Sequence, residues 1–581
     1  AALLRALVAQ PAEEVASRLA DLCLKDVLRE DTAGLGTGDS FVFRQTLMRE
    51  AAYDSVPKEL RSQLHEEITR WLEREPPETG VDTDDLLAYH LEAAYRCRAE
   101  LRPGDEHAMT LARQAAGHLS LACTHAVGVA DADRARELLG RAQSLMAGAS
   151  FEPDAEGAKV AAALGRTAIM VGAWGSAVDL LAPFADQGPP EISRDLGVAL
   201  CKLHRSEPSG PEYRRGQQLL ETACAASPTD ADALASLAGT WKGIDEAAAH
   251  RLYRQAVAAD PSDPYAWGNL LEYEISSRGD LSAVREKPSV TEAAIRRCRA
   301  QADAGANLPW AFYDIGKFSL LLERPYESLA AYARAVQLST APFMIETSLV
   351  SLERLEMVGD ALPALDAATR FLMLASAARS PDPAPDREEV IAAAAGSVAG
   401  PVVVVVGGTS SRVEERMSHY GNALLEAFGR FEGTIISGGT TNGISHLAGD
   451  VGEHYARTIH TVGYIPESPP EGVAFDTDER RFHELRTTAG IDFTFLQPLQ
   501  YWTDVIASDI DPSQVKVIGI GGGTISAVEY RIALGLGAQV GIITDSGRAA
   551  DELLKDRDWI TAPNLVALQP DAEAVASFLM A

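Results

Sequence analysis

Three short stretches near the end of this chain set glycines beside hydroxyls in a way that suits a phosphate or a sugar. They are Gly407-Gly408-Thr409-Ser410, Ser437-Gly438-Gly439-Thr440-Thr441-Asn442-Gly443 and Gly521-Gly522-Gly523-Thr524-Ile525-Ser526. Each glycine lets main chain approach a ligand with no Cβ in the way. A helix that follows such a loop turns free N–H groups and a partial positive charge toward an anion. Hydroxyls at Thr409, Ser410, Ser437, Thr440, Thr441, Thr524 and Ser526 add donors. A tight turn explains one such loop equally well; three together point to a phosphate or ribose site. Arg412, just past the first loop, suits a phosphate or a solvated helix face. Asp545 suits a ribose hydroxyl, as acidic residues at strand ends do in dinucleotide folds, or a turn before Ser546-Gly547. Glu529 either touches the ligand or closes a capping box with Ser526. His446, Tyr464 and Trp502 are read as packing residues, although both aromatic rings can stack on a base.

The elements that carry these loops can be read from texture. Pro401-Val402-Val403-Val404-Val405-Val406 is an apolar, β-branched run, as expected of a strand buried on both faces. Alternation follows: helix over 412–428, strand 433–437, helix 443–456, strand 458–465, a long polar insertion, strand 515–520, helix 524–536, strand 538–544, helix 549–555, strand 565–568 and helix 572–580. Such a pattern predicts a parallel, right-handed, doubly wound α/β domain over 401–581. Its ligand site is expected at the carboxyl ends of the strands, where strand order switches.

The second and third loops also resemble a known family. Ser437 to Ile444 and Gly521 to Glu529 are similar to the two signature loops of the SMF/DprA–LOG (SLOG) superfamily, above all to its prokaryotic branch related to the cytosolic region of TRPM channels. The likeness continues through Pro498-Leu499-Gln500-Tyr501-Trp502, Glu529 to Ala538, and Trp559. It implies a Rossmann-like fold and recognition of a nucleotide-derived signal such as ADP-ribose or a cyclic relative. A sibling branch hydrolyses nucleotide N-glycosidic bonds with a PGGxGTxxE loop and an arginine. Here Gly521, Ile525 and Ser526 replace the Pro, the third Gly and the Thr of that loop, while Glu529 is kept. Arg480, Arg481 and Arg486 sit in the insertion, in no matching motif. The resemblance therefore implies a sensor with no catalytic residue, and Glu529 as the acid were the domain an enzyme.

Residues 1–375 read as helix, with alanine and leucine at helical spacing. Tyr265 to Tyr273, Ala311 to Gly316 and Tyr326 to Val336 pair aromatic-rich with alanine-rich stretches, so large side chains can fill grooves left by small ones. Weaker copies lie around 161–181 and 231–257. The pattern resembles the tetratricopeptide repeat, whose solenoids offer a concave face to a protein partner or a neighbouring domain; a nonrepetitive helical scaffold is the alternative. Phe41 to Val56, Arg61 to His65 and Asp84 to Tyr95 are similar to the junction that leads from bacterial STAND-type ATPases into such repeats. No GxxxxGK[ST] loop occurs, and Gly34-Leu35-Gly36-Thr37-Gly38-Asp39-Ser40 lacks the phosphate-binding lysine. The expected organisation is a helical or winged-helix-like segment over 1–75, repeats over 76–375, and a linker with one helix over 376–400. That linker opens on Ser380 to Asp386 and carries its helix over Val390–Val398. The start at Ala1 leads us to expect a longer parent chain.

With 83 Asp and Glu against 52 Lys and Arg, the formal net charge is −31. Such a surface repels nucleic acid and anionic membranes, while a small anion can still be held by local amides. The six cysteines form no CxxC pair, so neither a metal site nor a disulfide framework is expected. They read as buried small hydrophobes of a cytoplasmic protein. No cofactor is called for beyond the nucleotide-derived ligand itself. Three readings follow: a ligand sensor, a nucleotide hydrolase, or a repeat scaffold whose α/β domain has lost its ligand.

Overall fold

The computed structural model describes the whole chain except Ala1, Ala9, Pro469 and residues 32–39, 76–81, 129–130, 150–153, 186–187, 380–384 and 409–413. Thr409, Ser410 and Arg412 therefore lie outside the described residues, as does most of the glycine-rich stretch after Asp31. Contacts divide the chain into two compact units. One comprises residues 1–259 with 303–307, the other 260–302 with 308–581.

In the first unit, strands Leu28–Asp31 and Ser40–Phe43 pair antiparallel. Beyond them the described chain is helical, from Thr46–Ser55 and Lys58–Arg74 through Thr83–Leu101 and onward, and sequence neighbours pack on one another. The core is built from alanine and leucine, among them Ala112, Ala116, Leu119, Leu138 and Leu164. Small residues set the spacing: a Cβ on Gly197 would stand 2.8 Å from the carbonyl oxygen of Gly216. All six cysteines are free. Burial pushes the Cys123 and Cys201 thiols up to about 12, which leaves them inert. Cys23 and Cys224 are only half-buried, short of the full burial expected of them.

The second unit joins helices to a sheet. Its helical part contains α1 (Pro264–Arg278), α2 (Trp310–Leu321), α3 (Pro325–Leu338), α4 (Leu365–Arg379) and α5 (Pro385–Ala392). The expected fit of large into small appears here, for a Cβ on Gly316 of α2 would meet the Tyr332 ring of α3 at 2.9 Å. Between α1 and α2, the buried Lys317 Nζ donates to Glu272 Oε1 at 2.9 Å. The predicted helix over Val390–Val398 falls instead at Pro385–Ala392. Proline at the first helical position has no N–H to lose and a φ already suited to the helix.

The sheet follows: β1 (Val402–Gly407), α6 (Glu414–Ala427), β2 (Gly433–Ser437), α7 (Gly443–His454), β3 (Ile459–Pro466), β4 (Glu484–Thr488), α8 (Leu496–Ala507), β5 (Lys516–Ile520), α9 (Thr524–Leu536), β6 (Gln539–Ile543), α10 (Arg548–Leu553), β7 (Leu565–Leu568) and α11 (Ala572–Met580). Strand order is β4-β3-β2-β1-β5-β6-β7, parallel throughout. The five valines of β1 are buried on both faces, and Val404 sits between Ile436 and Val517 in register. One expectation is corrected: the polar insertion contains an edge strand of this sheet, β4, and the buried helix α8. Chain connections run from β1 outward to β4, then jump back across β1 to β5. The crevice opens where the loops after β1 and β5 diverge.

The last helices before the sheet pack on the helices that cover it. Helix α3 lies on α9, where a Cβ on Gly535 would stand 2.7 Å from the Ala333 carbonyl oxygen. Helix α4 lies on α8, with Arg370 Nη2 donating to Gln500 Oε1 at 2.7 Å and to Thr503 Oγ1 at 2.8 Å. Gly535→Ala is accordingly expected to lower stability by about 1–3 kcal/mol by overpacking, against the roughly 1 kcal/mol that alanine gains in helix propensity. Thermal unfolding decides this; a midpoint at or above wild type would mean that α3 and α9 do not approach so closely.

Candidate functional site

The three glycine loops converge on that crevice. β1 ends at Gly407, where a Cβ would stand 2.4 Å from the Ile520 carbonyl oxygen of the neighbouring strand. This glycine serves the sheet as well as the cavity. β2 ends at Ser437, whose Oγ donates to the Val405 carbonyl at 3.0 Å. After β5 the chain turns through Gly521 and Gly522 at positive φ, 62° and 91°. Helix α9 then starts on Gly523, which makes no side-chain cap. The first-turn N–H groups of α9 consequently face the crevice without a capping side chain.

Together these elements enclose a cavity of about 390 Å³. Of the residues read from sequence, Gly407, Gly408, Ser437, Gly438, Thr440, Gly523, Thr524, Ile525, Ser526 and Glu529 line it. Gly439, Thr441, Gly443, Gly521, Gly522 and Asp545 do not. Gly439 has a φ of 62° and packs against Leu485 and Ile465. Thr441 is spent on the Ala474 carbonyl. Gly443 opens α7 at a φ of 60°. Gly521 donates its N–H to Ser546 Oγ at 3.0 Å. Asp545 is exposed at a φ of 57°, the geometry of a turn.

The capping-box reading of Glu529 does not hold. Because α9 begins after Gly523, Ser526 falls in its first turn and Glu529 in its second. Ser526 Oγ points to the Gly407 carbonyl at 3.3 Å. Glu529 Oε1 instead accepts from the Tyr501 hydroxyl at 3.1 Å. Burial pushes the Glu529 carboxyl up to about 7, a shift that the Tyr501 hydrogen bond partly opposes. The Tyr501 phenol is itself held well above its usual value by burial, so it remains a donor.

Several lining residues escaped the sequence reading as site residues: Ser445 on α7; Phe493, Thr494, Gln497, Pro498 and Tyr501 before and on α8; and Arg548 at the start of α10. The stretch Pro498 to Trp502 had carried part of the family resemblance and was the available signal. Tyr464 combines core and wall, since its hydroxyl donates to the buried Asp504 at 2.6 Å while its ring lines the cavity. Trp502 is wholly buried. His446 pairs with Arg481, which is also bound to Asp476 and Asp450. Arg486 is buried against Asp504. Among the described residues no group of three or more His, Cys, Asp or Glu is placed to hold a metal, and no helix is long and apolar enough to cross a membrane.

A parallel doubly wound sheet with a hydroxyl-lined cavity at its switch point defines the class of an α/β ligand-binding domain. Residues 400–576 match the family described as SLOG in TRPM, prokaryote. This match supports a nucleotide-related role for the C-terminal domain in general terms. Among solved structures, the X-ray structure of TM1055, a structural-genomics target, is 20% identical, with a TM-score of 0.24, over 31% of this chain and 98% of that one. A mutant of the Thermobaculum terrenum O-GlcNAc transferase is 11% identical with a TM-score of 0.15; the match covers 66% of this chain and 58% of the transferase. No curated protein matches the chain.

Proposed function

We propose that the cavity binds a nucleotide-derived signal of the ADP-ribose or cyclic ADP-ribose class in the cytoplasm. The helical region, as a tetratricopeptide-like relay, then passes occupancy to a protein partner or to an ATPase in signalling or anti-phage defence. The observation that carries this reading is the uncapped start of α9 facing a cavity built from three glycine loops. Relay is supported by the packing of α3 on α9 and of α4 on α8, the two helices that bring Glu529 and Tyr501 to the cavity. No cofactor beyond the ligand enters this reading. Calorimetry of the full chain against ADP-ribose, cyclic ADP-ribose, NAD and AMP is expected to show saturable binding of at least one. Absence of heat from all four at millimolar concentration would overturn it.

A second reading, hydrolysis of a nucleotide N-glycosidic bond, draws support from Glu529, a cavity carboxyl that titrates near neutrality. A pure scaffold has less behind it, because Ile525 and Tyr464 line the space without filling it.

A further inference from the structure

Arg548 belongs to no motif and has no part in the sensing or hydrolytic readings. It lines the cavity, and among the described residues it makes no hydrogen bond or ion pair. Arg548 is exposed, so its guanidinium is open to an anion from solution. Glu529 is the only other charged side chain among the described lining residues. Glu529 is held by the Tyr501 hydroxyl and makes no ion pair with Arg548.

The placement of Arg548 is enforced. A Cβ on Gly523 would stand 3.7 Å from an Arg548 guanidinium nitrogen, so the head group hangs beside the start of α9. Its backbone has a φ of 55°, directly after Gly547 at 86°. Left-handed backbone is strained for a side chain of this kind and persists only where surroundings impose it. Here the surroundings are visible. Ser546 Oγ accepts the Gly521 N–H at 3.0 Å and donates to the Ile543 carbonyl at 2.6 Å. From the other side the Ala550 N–H donates to the Gly521 carbonyl at 2.9 Å. The β6–α10 turn is thus strapped to the third glycine loop at both ends, with Arg548 between the straps.

We propose that Arg548 is a specificity-determining residue that binds a phosphate group of the cavity's ligand and selects phosphorylated over unphosphorylated nucleosides. The proposal rests on the nucleotide reading of the cavity. A guanidinium suits it because its planar fork can present two donors to one phosphate, which a lysine cannot.

Calorimetry of the full chain with AMP, adenosine and inorganic pyrophosphate tests it. Wild type is expected to bind AMP more tightly than adenosine. Arg548→Ala should weaken AMP and pyrophosphate by about tenfold or more, the usual loss of a hydrogen bond to a charged group, and leave adenosine unchanged. Arg548→Lys should recover only part of that. Arg548→Gly should lose affinity as alanine does while its melting temperature holds or rises, because glycine relieves the strained backbone; a merely structural arginine would not separate the two readouts. Unchanged AMP and pyrophosphate affinity in Arg548→Ala, or an equal loss for adenosine, overturns the proposal. If wild type binds pyrophosphate through Arg548 but neither nucleoside species nor ADP-ribose, the nucleotide reading fails and the anion site stands. If nothing binds, both fall.

Discussion

Asp504→Ala is expected to destabilise the second unit by roughly 3–5 kcal/mol, the usual cost of removing one partner from a buried ion pair. The Asp504 side chain is 0% exposed and that of Arg486 is 5% exposed. One carboxylate organises four segments. Its Oδ2 accepts from Arg486 Nη1 and from the Tyr464 hydroxyl, each at 2.6 Å. Its Oδ1 accepts from the Ala395 N–H at 2.8 Å and from Gln500 Nε2 at 3.0 Å. The approach to β1, strand β3, the edge strand β4 and α8 all meet there. Alanine leaves the guanidinium buried with Glu484, the Ser397 carbonyl and the Tyr464 oxygen as its remaining acceptors, and strands the Tyr464 O–H and the Ala395 N–H as donors. Glu484 provides the control: it holds Arg486 from the surface, 42% exposed, so Glu484→Ala should cost no more than about 1 kcal/mol. Urea unfolding monitored by tryptophan fluorescence gives both numbers. Equal midpoints for the two variants would mean that the network around Asp504 is not what holds these segments together.

That network marks the limit of what the sequence revealed. β1 was legible because a strand covered on both faces must be apolar along its whole length, and five valines are. The glycine loops were legible because each ends a strand and opens a helix. β4 was not: as the outermost strand it reads Glu484-Leu485-Arg486-Thr487-Thr488, polar enough to pass for a loop, and Arg486 is buried only through its partners. α8 was hidden by Pro498, which sits in its first turn, where proline does not break a helix. The span of α9 was read correctly as 524–536, but the Ser526-Ala527-Val528-Glu529 pattern mimics a capping box two residues inside the helix, which sufficed to turn a cavity carboxyl into a supposed cap. Arg548 could not have been found at all, since its position depends on a left-handed turn and on two hydrogen bonds to a loop far away in sequence. Pattern periodicity reports which face of an element is buried, and says nothing of which other element buries it.

Glu529→Gln is expected to change both stability and chemistry, with a sign that depends on pH. In the unfolded chain this carboxyl titrates near 4.5; in the folded protein burial moves it to about 7. Across that window the unfolded state gives up its proton while the folded state keeps it, so stability falls as pH rises and levels off above about 7. The span corresponds to at most about 3 kcal/mol, less where cavity water reaches the carboxylate. Glutamine cannot ionise. The variant should match wild type near the acid end of the window, lose its pH dependence within it, and be the more stable protein at about pH 8. Melting curves of both proteins across the window test this, and parallel curves would refute the shifted carboxyl. The same pair separates the two readings of the cavity. For a sensor whose ligand donates a ribose hydroxyl to Glu529, wild-type affinity should rise through neutrality as the carboxylate forms, and the glutamine variant should show no such rise, with the ligand recovered intact from both. For a hydrolase, chromatography after incubation should show base release by wild type and none by Glu529→Gln. Base release that survives the substitution would exclude Glu529 as the acid, and an intact ligand bound with the same pH profile by both proteins would exclude it from the site's chemistry altogether.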